Sequence, residues 1–149
     1  MSQAFIKNDA EDGPPERRPP SGPNYVTPRG FELLSKKVRA LGERRGELTK
    51  EERGELRYWQ GRLSSAVPVD NSKRPPEDVR FGAEVVLKDA GGTRRVRIVG
   101  QDEADEALGA LSWDSIAARV LTGHRPGESV TLEDGAAVEI VSVGYPPWT

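Results

Sequence analysis

The run Asp102-Glu103-Ala104-Asp105-Glu106 puts four carboxylates into five residues. Clustered carboxylates can hold magnesium or calcium through oxygen ligands, face a basic patch on another protein, or stay hydrated. The run lacks the ligand spacing and central glycine of a calcium loop, which favours a solvated loop or a contact surface over a metal site. Other chemistries fare worse. The chain has one histidine, His124, and no cysteine, so disulfides, thiolate metal sites and a cysteine nucleophile are excluded, and His124 has no second histidine to share a metal or proton. Its place after Gly123 predicts a helix C-cap or a solvated side chain. No strand–turn–helix elbow supports serine–histidine chemistry. Gly91-Gly92 read as a hairpin turn, without a following Lys-Ser/Thr helix to make a phosphate cradle.

A second group of charges lies at GERRGELTKEERGE, where Glu43, Glu47, Glu51 and Glu52 alternate with Arg44, Arg45, Lys50 and Arg53. Such mixing reads as a solvated helix surface. Three tryptophans complete the set of candidates. Trp59 reads as hairpin core, Trp113 as a partner anchor beside the acidic loop, and Trp148 as a latch or a loose end.

The elements that must position these groups follow from periodicity. Residues 1–23 are dense in proline and predict an unfolded leader. Thr27-Pro28 is a helix start. Phe31, Leu34, Val38 and Leu41 then share one face of a helix from Pro28 to Arg45, about 27 Å long. Thr49-Lys-Glu-Glu52 has the form of a capping box. It opens a second helix with the stripe Leu56, Trp59, Leu63 and Ala66, ended by Pro68. Gly54 and Gly61 within it each cost roughly 1 kcal/mol, so this antiparallel hairpin over 24–69 needs a neighbour. After a linker at 70–79, residues 80–149 turn to strand patterns. Val85 and Leu87 alternate, Asp89-Ala-Gly-Gly92 turns, and Val96 and Ile98 face inward. Leu111–Trp113 and Val130–Leu132 are short strands, and Val138, Ile140 and Val143 lie on the last one. A helix capped by Asp114 or Ser115 presents Ile116, Val120 and Leu121 to the core. The fold class is α+β: a short helical hairpin followed by an antiparallel sheet packed on one helix.

Apolar residues make up 35% of the chain and charged residues 31%. No apolar run reaches the roughly 18 residues that cross a bilayer, and MSQAFIKNDAEDG lacks the core of a signal peptide. The cytoplasm is the expected location and no membrane contact is expected. The net charge of −2 excludes a protein held mainly by nucleic-acid phosphates. Direct DNA binding would be weak and accessory, and a protein partner is favoured. The expected state is a monomer, although the Leu34/Val38/Leu41 stripe could self-associate.

The stretch FGAEVVLKD…RVRIVGQDEADEALGALSWDSIAARVLTGHRPGESVTLEDG…VEIVSVGY, roughly residues 79–145, resembles the C-terminal domain of the bacterial GreA/GreB transcription elongation factors. YVTPRGFELL is similar to that family's opening. The resemblance implies an FKBP-like C-terminal domain that docks on the rim of the RNA polymerase secondary channel. It also implies a helical hairpin entering the channel, whose tip acids help hold a catalytic magnesium while the polymerase cleaves backtracked RNA. Extra carboxylates stabilise a second metal and activate water. Carried over by residue, the docking candidates are Asp102, Glu103, Asp105, Ser112, Trp113, Ser115 and Arg119.

This sequence departs from the family in two places. Ile116 stands where a proline usually follows the serine, and the acidic tip motif is missing. The tip candidates are Arg44, Arg45, Glu47, Lys50 and Glu51. A short arm with neutralised acids predicts a polymerase-binding regulator similar in build to the Rnk regulators, not itself an enzyme and without a cofactor. The alternative is a true cleavage factor in which Glu47 or Glu51 serves the polymerase-bound magnesium. A free-standing prolyl isomerase is disfavoured, because a fold does not confer a function and the module's aromatics are only Phe81, Trp113, Tyr145 and Trp148.

Overall fold

The computed structural model describes residues 17–148. The leader expected over 1–23 thus lies outside the described residues as far as residue 16. Residues 17–23 are exposed but tethered. Arg17 lies over the Tyr58 ring at 4.1 Å, and the carbonyl of Ser21 accepts from Gln101 Nε2 at 3.1 Å.

The chain enters an arm through β1 (Asn24–Val26). Thr27 Oγ1 accepts from the Gly30 amide at 2.9 Å, and α1 (Pro28–Glu43) begins with the proline in its first turn. Leu34 is buried, with Val38 and Leu41 packed beside it. Phe31, placed on the same stripe, is 39% exposed. The helix closes two residues earlier than the pattern suggests, because the Arg44 amide turns back to the Leu41 carbonyl. After a single 3-10 turn at Arg45–Glu47, Thr49 and Glu52 cap each other's backbone and start α2 (Lys50–Ser65). Each helix has sixteen residues, about 24 Å.

The chain leaves through β2 (Ala66–Pro68), which pairs in parallel with β1, Tyr25 opposite Val67. The periodicity gave no hint of this ladder.

At the arm's turn, Glu52 is held down at about 2, first by the hydrogen bond from Arg44 (2.8 Å) and then by the Thr49 amide (3.1 Å). A depressed carboxylate contributes stability above its ordinary value of 4.5 and loses it as the pH falls towards 2. Hydrogen exchange at the Thr49–Arg53 amides is therefore expected to accelerate over that window. Glu52→Gln is expected to exchange fast throughout, with no acid dependence.

The β domain comprises β3 (Glu84–Asp89), β4 (Gly92–Val99), β5 (Ala110–Ser112), α3 (Ile116–Leu121), β6 (Ser129–Thr131) and β7 (Ala137–Gly144). The sheet runs β5-β4-β3-β7-β6. It is antiparallel except at one edge, where β5 runs parallel to β4. Residues 101–108 carry the chain across in two 3-10 turns, and so bring β5 back in the same direction.

Val85, Leu87, Ile98, Ala118, Leu121, Val138 and Ile140 form the centre of the core. Ile140 and Val143 both face it although three apart, because the pairing shifts between Leu87–Ile140 and Val86–Ser142 and leaves Val141 as an extra, outward residue.

Ile116 departs from expectation and is 54% exposed. The Ser115 cap makes it the first helical residue, and two residues of helix, about 200°, separate it from the buried Ala118. Among the described residues no helix is long and apolar enough to cross a membrane.

Candidate functional site

Where the acidic loop meets the arm, its carboxylates turn inward. Arg62, on the last turns of α2, gives its Nε to Asp102 at 2.6 Å, and both side chains are more than nine-tenths buried. Its Nη2 reaches Asn24 Oδ1 and Gln101 Oε1, each at 2.8 Å. The Tyr58 hydroxyl donates to the other oxygen of Asp102 at 2.6 Å. Burial, then that hydrogen bond, pushes Tyr58 up to about 12.

Glu103 serves the other helix. It accepts from the Thr27 amide at 3.1 Å, from the Thr27 hydroxyl, and from the Gly100 amide at 3.0 Å. A carboxylate thus closes the positive end of α1, where unpaired amides favour an anion. Gly30 is required there, since a β-carbon would fall on the Glu103 carboxylate.

Asp102 and Glu103 were expected on an outer docking face. Paired with buried groups of the arm, they form a clasp between the two halves. Asp105 does face solvent, and its side chain accepts the Ala107 amide. Among the described residues, no three potential metal-ligating side chains converge.

The remaining docking candidates gather on one face. Ser112 donates to Asp114, and this bond is the main reason that the Asp114 carboxyl titrates low. Gln101 Nε2 reaches Asp114 at 2.9 Å, which joins this loop to the clasp. Ser115 caps α3.

Trp113 meets Tyr25 edge-on at 5.1 Å, and Tyr25 meets Phe81 at 6.2 Å. With Ile98, Arg119 and Thr122 they line a mostly apolar pocket of about 340 Å³. Trp113 Nε1 is buried without a hydrogen bond, a costly state for a polar group. The aromatic count of the β module alone understated this pocket, because Tyr25 comes from β1.

At the arm's tip Arg44 is committed to Glu52. Arg45, Glu47, Lys50 and Glu51 are exposed. The neutralisation expected for the tip acids holds for Glu52, and Glu47 lies within electrostatic reach of the same Arg44.

Other candidates are structural. Trp59 lies in the arm's core. Arg97 stacks over Trp148 at 3.3 Å, which makes Trp148 a latch. The His124 amide caps α3 through the Leu121 carbonyl, with its ring 3.2 Å from Glu128. Sequence reading missed Tyr25, Tyr58 and Arg62. The available signal was the Tyr58–Arg62 spacing of four beside the apolar stripe of α2.

The model of the family described as "Transcription elongation factor, GreA/GreB, C-term" matches residues 74–145. Transcription elongation factor GreB of Neisseria meningitidis serogroup B is 34% identical over 153 residues, covering 82% of this chain and 94% of that protein. That coverage is about 122 of the 149 residues here, so about thirty residues of the relative have no counterpart. Transcription elongation factor GreA of Trichlorobacter lovleyi is 36% identical over 97 residues, covering 62% of this chain and 61% of its own length. Among solved structures, GreA factor homolog 1 (Gfh1) of Thermus thermophilus is 21% identical with a TM-score of 0.42, covering 82% of this chain and 99% of that one. These matches overturn the expectation of a chain that is not an enzyme. The relatives are named transcription elongation factors GreB and GreA, the factors whose resemblance implied a part in RNA cleavage.

Proposed function

The chain belongs to the GreA/GreB family of transcription elongation factors, and from that premise we propose that it docks on bacterial core RNA polymerase at the rim of the secondary channel. The docking face is the Trp113 pocket with Ser112, Ser115, Ile116 and Arg119, and the arm is directed into the channel mouth. The observation that carries this reading is the apolar pocket of Tyr25, Phe81 and Trp113, with its unanswered indole N–H. An inserted apolar side chain would fill the pocket.

The arm's length bears on what happens after docking. If the thirty missing residues are shared between two helices, the arm is shorter by about 22 Å. Such an arm modulates elongation chiefly from the channel entrance and supplies few carboxylates to the polymerase's magnesium. A second reading, cleavage stimulation of the GreB kind, draws support from Glu47 and Glu51, both exposed at the arm's turn.

A halted, backtracked elongation complex separates the readings. The expected result is binding to core polymerase and altered pausing, with transcript shortening far below that of a long-armed GreB. Shortening equal to GreB, and lost in Glu47→Gln/Glu51→Gln, would establish the second reading. Failure to bind polymerase would sink both.

A further inference from the structure

Only one covalent connection, residues 69–83, joins the arm to the β domain, so its direction is set by contacts across the seam. Those contacts are charged and directional at two separate points. At the start of α1, Glu103 takes the amide and hydroxyl of Thr27. On the last turns of α2, Asp102 takes Tyr58 and Arg62. One anchor would let the arm swing freely about it, whereas anchors on two helices leave only rotation about the line joining them, which the Tyr25–Trp113 contact opposes. Gln101 extends the network, accepting from Arg62 and donating to Asp114 beside the Trp113 pocket. The root of the arm and the docking face therefore share one set of hydrogen bonds.

We propose that Asp102 and Glu103 are positioning residues that aim the arm relative to the docking face. Apolar contact tolerates sliding, while a buried carboxylate tolerates neither a changed distance nor a lost partner. A β-carbon at Gly30 would fall on the Glu103 carboxylate, and one at Gly100 would meet both that carboxylate and the Tyr25 carbonyl. Substitution at Glu103 should leave each half folded and release the angle between them. The consequence for transcription rests on the docking reading above, but the angle is a property of the free chain.

The absence of cysteine permits spin labels at Gly46→Cys on the arm's turn and Thr93→Cys on the β3–β4 hairpin, both exposed. The dipolar distance distribution of the free, full-length protein is expected to show one narrow peak. Glu103→Ala should shift and broaden it, Glu103→Gln should do so less, and Tyr58→Phe should broaden it through the second anchor. Far-ultraviolet dichroism should be retained in all three, with the effect on elongation lost. An unchanged distribution in Glu103→Ala would overturn the proposal. Should that variant not fold, unchanged distributions in both Glu103→Gln and Tyr58→Phe would overturn it equally. A shifted distribution in a protein that fails to bind polymerase would uphold the aiming role and count against the docking reading alone.

Discussion

Arg62→Ala is expected to destabilise the folded chain by about 3–5 kcal/mol, the cost of leaving a buried ion without its partner. Three acceptors lose their donor at once: Asp102, Asn24 and Gln101. Asp102 keeps only the Tyr58 hydroxyl, which is too little for a carboxylate that is about nine-tenths buried. The large cost measures the orphaned charge and not the strength of the pair. Replacing both members together, Arg62→Met with Asp102→Leu, removes both charges and is expected to recover most of the stability. Urea titration of Arg62→Met, Asp102→Leu and the double variant against the parent gives the coupling energy directly. A single Arg62→Ala within about 0.5 kcal/mol of the parent would show that the Asp102–Arg62 anchor contributes nothing to the fold.

Ile116→Glu combined with Arg119→Glu should weaken binding to core RNA polymerase by about 30-fold or more, the effect of losing a contact worth roughly 2 kcal/mol at the centre of an interface. Ile116 is more than half exposed and Arg119 is exposed, so neither holds the core. Their replacement should leave the melting temperature within a degree or two of the parent. Arg119 also lines the Trp113 pocket, and reversing its charge tests the pocket without touching its aromatic walls. Calorimetric titration of the variant against core polymerase, with thermal unfolding alongside, makes the test. Full affinity in the variant would move the docking face elsewhere on the β domain.

The sequence made the local grammar legible. Thr27-Pro28 and the Thr49–Glu52 box start helices as their chemistry requires, because capping involves residues within one turn. Leu34, Leu56 and Trp59 lie where a 3.6-residue period puts them, and Val85, Leu87, Val96 and Ile98 where a two-residue period puts them.

Groups that answer to distant partners were not legible. Asn24–Val26 pairs with Ala66–Pro68 across some forty residues, and three-residue strands carry no period. Arg62 and Asp102 have the residue types of a solvated surface, and only the meeting of α2 with the 101–103 turn buries them. Ile116 misled for the opposite reason. An apolar residue at the head of a short helix was assigned to the core, when the cap before it points that position outward. The docking face was partly legible: Ser112, Trp113, Ser115 and Arg119 do share one surface, while the acids chosen with them belong to the seam.

The parallel ladder at the arm's root has an implication for how such proteins diversify. Both ends of the arm are fastened at one spot by β1 and β2, and everything beyond is a closed excursion that returns to where it left. Matched helical turns can be added to or deleted from α1 and α2 without disturbing anything on the near side of the ladder. Probe length is then a free variable that natural selection can set independently of the mount.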